Sequence, residues 1–96
     1  MISSFNVMYK HRVNLLFLLR SKGEISSADL SIVGDYSKMM LAARQLESVG
    51  LIYSNTNHKR KNKVTWGLTA EGVDMANYLD GVDKKMTATF ERQKVL

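Results

Sequence analysis

Along residues 8–22 the apolar positions repeat at helical spacing, with Val13, Leu15, Leu16 and Leu19 on one stripe. Phe17 and Leu18 widen that stripe, which predicts a helix touching more than one neighbour. Gly23 ends it, with Arg20 and Lys22 in the last turn, where cations suit the helix dipole. Glu24-Ile25-Ser26 is long enough only for a stub of strand. Ser26 or Ser27 then caps a short second helix reaching about Val33, with Asp29 near its positive end and Leu30 and Val33 inward. Gly34 makes the turn, and Asp35 caps a third helix from Tyr36 to about Val49. Its inward positions are Met39, Ala42, Ala43, Leu46 and Val49, and the paired alanines let another helix come close. Gly50 is placed to end it in the left-handed conformation.

After Gly50 the period changes from helical to alternating. Leu51-Ile52-Tyr53 and Val64-Thr65-Trp66-Gly67-Leu68 are β-branched and aromatic runs, and Val64, Trp66 and Leu68 share one face. The polar, basic segment from Ser54 to Asn62 lies between them, which predicts a hairpin with a long charged tip. Trp66 is expected in the core at the base of that hairpin. Thr69 caps the last helix, with Glu71 in its first turn and Val73, Ala76 and Leu79 facing the core. Met75, Leu79, Val82, Met86 and Phe90 step by four, three, four and four, close to a heptad seam. Gly81 weakens that helix by about 1 kcal/mol relative to Ala, so a kink or end is expected near it and fraying past about Met86.

Composition narrows the chemistry. The chain of 96 residues has the length of one domain and has no Cys, so disulfides and thiolate metal sites are excluded. Its two histidines, His11 and His58, are far apart in the chain, and His58 sits among cations; no metal and no cofactor are expected. No apolar stretch approaches the ~20 residues that span a bilayer, so no membrane partner is expected. Residues 1–7 show no basic segment before an apolar core, so no signal peptide is read and a cytoplasmic location is expected. Nothing resembles a catalytic constellation: there is no evident Ser/His/Asp set, carboxylate pair in a cleft or Gly-rich phosphate loop, and a non-enzyme is expected. The net charge is +5, and its distribution says more than its size. Between Leu51 and Trp66 stand Lys59, Arg60, Lys61 and Lys63 with His58 and no acid, whereas Glu71 to Asp83 is mildly acidic. A local basic patch is the footprint of a nucleic-acid binder.

The order of elements is helix, stub strand, short helix, turn, longer helix, basic hairpin and final helix, an α+β arrangement in which the hairpin follows a helix-turn-helix as a wing. Residues 12–81 resemble the winged helix-turn-helix domain of MarR-like and related small archaeal and bacterial DNA-binding proteins. Gln45-Leu46-Glu47-Ser48-Val49-Gly50-Leu51-Ile52 is similar to the L-E-x-x-G-L-I end of the family's recognition helix. Leu68-Thr69-Ala70-Glu71-Gly72 matches the L-T-x-x-G step from wing to last helix, and Glu24 to Leu30 looks like the stub strand and second helix. The resemblance implies a winged helix with a three-helix core and an extended C-terminal helix, similar to members that dimerise through a C-terminal antiparallel coiled coil. One domain over 1–96 is expected: an N-terminal extension at 1–7, helix-turn-helix and wing at 8–68, and a dimerisation helix at 69–96.

With Met39, Ala42, Ala43 and Leu46 inward, the third helix turns Tyr36, Ser37, Lys38, Met40, Leu41 and Arg44 outward or to its flanks. The major groove of DNA admits such a helix, whose first turns supply base contacts. Lys38 and Arg44 suit guanine or phosphate, Ser37 and Tyr36 suit phosphate or sugar, and Met40 and Leu41 suit thymine methyls. The resemblance implies the same groove-facing positions. In the wing, His58, Lys59, Arg60, Lys61 and Lys63 are the candidates for phosphate and minor-groove contact, with Arg60 best suited to insertion. Lys10, His11 and Arg12 are either a backbone contact or an exposed helix end. The reading is a homodimeric regulator on double-stranded DNA, with Met75, Leu79, Val82, Met86 and Phe90 at the interface, assisted by Phe17 and Leu18. No small-molecule effector is expected. The alternatives are a protein–protein interaction module on the same fold, suggested by apolar Met40 and Leu41, a non-specific architectural chromatin protein, and an RNA-binding winged helix.

Overall fold

In a computed structural model, the backbone is described for residues 2–57, 59 and 63–95, and the side chains of these except residues 2–7 and 93–95. The described elements are α1 (Ile2–Lys22), β1 (Ile25–Ser26), a 3₁₀ helix η1 (Ser27–Ile32), α2 (Tyr36–Ser48), β2 (Ile52–Asn57), β3 (Lys63–Leu68) and α3 (Ala70–Val95). This is a winged helix: helices packed against a small antiparallel sheet whose strand order is β1-β3-β2.

Each boundary has a local cause. Gly23 and Gly50 both adopt φ of +81°, the left-handed conformation that closes α1 and α2. At the head of η1, the backbone N–H and hydroxyl of Ser26 both donate to the Asp29 carboxylate, at 3.3 and 3.2 Å. The Asp35 carboxylate accepts from the Lys38 N–H at 3.2 Å and so caps α2. Thr69 caps α3 by accepting from the Gly72 N–H at 3.1 Å. The Thr69 hydroxyl also lies 2.7 Å from the Gly50 carbonyl and 3.1 Å from that of Leu51, tying α3 to the α2–β2 turn. Gly72 is required by the same junction, because a Cβ there would stand 1.9 Å from the Leu51 carbonyl oxygen.

The core gathers Leu15, Leu16, Leu18 and Leu19 of α1, Ile25 of β1, Leu30 of η1, the inner face of α2 with Met39, Ala42, Ala43 and Leu46, and Ile52, Trp66 and Ala76. Trp66 is 2% exposed, and its indole N–H donates to the Ser27 hydroxyl at 2.9 Å, so burial leaves no polar atom stranded. Leu18 is thus core of this chain, and the expectation that it assists a second copy is corrected. A large buried aliphatic contributes about 1.5–3 kcal/mol, and α1, which supplies four such leucines, packs against both α2 and α3.

Several expectations are corrected. α1 begins at Ile2 rather than at residue 8, and the second helix is a 3₁₀ helix ending at Ile32. Val49 is 69% exposed, because α2 ends at Ser48 and the chain has already turned. Val73 is 40% exposed, while Ala76 is fully buried one turn later. The polar stretch Ser54–Asn57 is strand rather than loop: Ser54 pairs with Trp66 and Asn57 with Lys63, so the hairpin tip is shorter than its polarity suggests. α3 continues through Gly81, and no end falls there.

Candidate nucleic-acid interface

The outer face of α2 is built by the residues its core stripe leaves over. With Met39, Ala42, Ala43 and Leu46 buried, Ser37, Lys38, Leu41 and Arg44 are exposed on the opposite side, and Tyr36 is exposed as the first residue of the helix. Tyr36 is 46% and Leu41 48% exposed. Met40 departs from the expectation: it is half-buried and packs against the core, so of Met40 and Leu41 it is Leu41 that faces outward. The first turn of α2 holds no acid, and its N-terminal dipole is unopposed there apart from the Asp35 cap.

Two side-chain bonds hold this helix at a set pitch. Arg12 Nε of α1 donates to Gln45 Oε1 at 2.9 Å, and Ser54 of β2 donates its hydroxyl to Glu47 at 2.5 Å. Arg12 is therefore engaged in positioning α2. Beside it, Lys10 is exposed and His11 is half-buried, with Nδ1 enclosed near Gly34 and lacking a hydrogen-bond partner among the described residues. Neither Gln45 nor Glu47 stands out in the sequence as a support; only the register of β2 beside α2 reveals Glu47.

The wing follows. β2 and β3 pair from Ile52 and Leu68 at the root to Asn57 and Lys63 near the tip. Alternation turns Tyr53, Asn55 and Asn57 to one face, with Lys63, Thr65 and Gly67 opposite them. That polar face was missed in the sequence because Ser54–Asn57 read as loop. It forms a shallow depression of about 530 Å³ lined by Glu24, Asn55, Thr56, Asn57, Lys59 and Thr65. At its root, the Tyr53 hydroxyl donates to Glu24 at 3.0 Å, and this bond to a carboxylate raises the phenol above its ordinary range. Lys59 and Lys63 are exposed, and the Lys59 backbone N–H donates to Asn57 Oδ1 at 3.0 Å. His58, Arg60 and Lys61 lie outside the described residues.

Among the described residues, ion pairing is confined to Asp80. The pairs there are with Arg20 and Lys84, at 3.5 and 3.0 Å. Both lie along α3, where Arg20 also reaches the Ala76 carbonyl and Asn77 Oδ1. Lys84 first, then Arg20, hold the Asp80 carboxyl below its usual range. Lys38, Arg44, Lys59 and Lys63 have no ion-pair partner among the described residues. The expected seam residues are on α3: Leu79 is half-buried, while Met75, Val82, Met86 and Phe90 are 39, 42, 56 and 63% exposed. No group of His, Cys, Asp or Glu among the described residues could hold a metal ion. No described helix is long and apolar enough to cross a membrane.

No family model matches the chain, and no curated protein does. Solved structures do. A structure from Enterococcus faecalis described as a transcriptional regulator of the MarR family aligns with a TM-score of 0.79 at 17% identity, covering 100% of this chain and 94% of its own. Lactococcus lactis ZitR, a mutant in apo form, gives 0.74 at 18% identity over 96% of this chain and 70% of its own. MepR, described as a transcription regulator of the Staphylococcus aureus multidrug efflux pump MepA, gives 0.74 at 18% identity over 86% of this chain and 63% of its own. The fold is therefore the winged helix of these MarR-family structures, as the sequence motifs implied.

Proposed function

We propose that this chain binds double-stranded DNA as a homodimeric transcriptional regulator, on a fold it shares with MarR-family winged helices. α2 enters the major groove through Tyr36, Ser37, Lys38, Leu41 and Arg44. Met40 lies on the flank and contributes through packing. The wing carries Lys59 and Lys63, together with His58, Arg60 and Lys61, to the backbone and minor groove. The observation that carries this reading is the placement of the exposed cations Lys38, Arg44, Lys59 and Lys63, none of them in an ion pair among the described residues, on the two elements that a winged helix presents to a duplex. Cations left without protein partners are the groups that replace counterions on phosphate. The second copy covers the exposed side chains of Met75, Val82, Met86 and Phe90 beside Leu79, and places two α2 helices about one helical turn of DNA apart. The chain acts in the cytoplasm, without catalysis, cofactor, metal or membrane contact.

The test is Lys59→Ala with Lys63→Ala. A DNA binder loses affinity across all sequences, and its salt slope becomes shallower by about 1 per phosphate contact removed. One observation favours a second reading. Leu41, 48% exposed, is apolar where a polar base reader is usual, as in a protein–protein interaction module. In that case the wing substitutions leave binding to the partner unchanged and no duplex is bound. An architectural chromatin protein differs only in binding random and selected duplexes equally, and an RNA binder in preferring duplex RNA in competition.

A further inference from the structure

One face of the wing runs from root to tip through the cross-strand pairs Tyr53 and Gly67, Asn55 and Thr65, and Asn57 and Lys63. Nearer the root its polar groups are engaged within the chain. Tyr53 donates to Glu24 at 3.0 Å, and the Thr65 hydroxyl donates to the Asn55 carbonyl at 3.5 Å. Glu24, the acid that lines this face, is thereby held at the root. At the tip the Lys59 backbone N–H donates to Asn57 Oδ1 at 3.0 Å. A backbone N–H can only donate, so the amide atom it meets must be the oxygen. The amide nitrogen of Asn57 is therefore turned away from that bond. Asn57, Lys59 and Lys63 are all exposed. Their side chains offer donors, the Nδ2 hydrogens and two ammonium groups, while the amide oxygen is already engaged.

Base pairs differ in how they meet such a tip. In the minor groove an A·T pair shows only acceptors, adenine N3 and thymine O2, whichever way round it lies, whereas a G·C pair adds the guanine N2 amino donor. An amide nitrogen that finds acceptors at A·T meets another donor at G·C. The amide can turn its oxygen toward guanine only by giving up the bond from Lys59. We propose that Asn57 is a specificity-determining residue of the wing, donating through Nδ2 to the minor-groove edge of A·T pairs and disfavouring G·C. This rests on the duplex reading, with the wing in the minor groove, and adds to it which base pairs the wing accepts. Lys59 and Lys63 supply phosphate contacts, which carry no sequence preference.

Three duplexes of about 30 base pairs test this without an operator: one of A·T pairs, one of G·C pairs and one of inosine·C pairs. Inosine lacks the N2 amino group, so its pair with C has the minor-groove pattern of A·T and the major-groove pattern of G·C. Fluorescence anisotropy with the full chain at low salt is expected to give a dissociation constant about fivefold lower on A·T than on G·C, with inosine·C close to A·T. Asn57→Asp keeps an oxygen for the Lys59 N–H and loses the donor. Its added charge weakens binding to all three duplexes, and the A·T preference vanishes or reverses, since a carboxylate accepts from guanine N2. Asn57→Ala, which removes the whole amide from an exposed position, loses the preference as well. Equal binding of the unaltered chain to A·T and G·C, or an inosine·C duplex that behaves like G·C, overturns the role of Asn57 and leaves DNA binding standing. A preference kept by Asn57→Asp and lost in Asn57→Ala makes Asn57 a support of the tip turn alone. A preference kept by both variants belongs to groove width or to another residue, and either result overturns the inference. An unaltered chain that binds none of the three overturns the duplex reading itself.

Discussion

Gly→Ala in a helix interior ordinarily stabilises by about 1 kcal/mol, and α3 offers two sites where the structure gives that substitution opposite signs. At Gly81 an added Cβ meets nothing within 4 Å, so Gly81→Ala gains the ordinary helical benefit. At Gly72 the Cβ would stand 1.9 Å from the Leu51 carbonyl oxygen and 3.0 Å from its carbon, both backbone atoms. Ordinary contact begins near 3.4 Å, so α3 must withdraw by about 1.5 Å from the α2–β2 turn. Overpacking of this kind costs about 1–3 kcal/mol. The same withdrawal stretches the Thr69 contacts to Gly50 and Leu51, worth about 1 kcal/mol for a typical hydrogen bond. After subtracting the helical benefit, Gly72→Ala is expected to destabilise by about 1–3 kcal/mol, a large share of the about 5–15 kcal/mol typical of a domain. Urea unfolding followed by circular dichroism measures both variants, with Gly81→Ala shifting the midpoint up. A Gly72→Ala protein as stable as the parent would refute the close packing of α3 on Leu51.

Other outcomes follow from the same contacts. Trp66→Phe removes the donor to Ser27 and part of a buried ring, and is expected to cost about 1–3 kcal/mol in thermal unfolding, whereas Ser27→Ala costs about 1–2 kcal/mol by stranding the indole N–H. Arg44→Ala is expected to weaken binding to a selected duplex by about 1–3 kcal/mol if Arg44 reads a base, and equally on all sequences if it reads phosphate, which competition between duplexes distinguishes. The Asp80 carboxyl is held low by Lys84 and Arg20, so its contribution is fully present above the ordinary carboxyl value of 3.8 and is lost as pH falls through the lower folded value. Asp80→Asn is therefore expected to remove part of the acid limb of the stability–pH profile, and a profile unchanged below pH 4 would contradict the Arg20–Asp80–Lys84 cluster.

The elements legible in the sequence were those with a strong local cause. The stripe through Leu15, Leu16 and Leu19, the Asp35 and Thr69 caps, and Gly23 and Gly50 all act within one or two turns, and the structure places each where its chemistry predicts. Trp66 was legible because Val64 and Leu68 share its face. What was lost depended on neighbours distant in the chain. Ser54–Asn57 has loop composition, yet β3 supplies a full ladder of partners and makes it strand. Met40 sits at a flank of the core stripe, and only the packing of α2 decides that it turns inward. Val49 continues the apolar spacing of α2 but lies beyond Ser48, where the turn into Gly50 carries it outward. For the interface, the sequence marked the cations, and the structure added that Arg12 is committed to Gln45 while Lys38, Arg44, Lys59 and Lys63 have no ion-pair partner among the described residues.

The central claim is tested most directly by fluorescence anisotropy of a random-sequence duplex of about 30 base pairs, titrated with the full chain at several salt concentrations. The account predicts submicromolar binding at low salt that falls steeply as salt rises, with a slope set by roughly four to six phosphates per chain. Absence of binding even at low salt would contradict it.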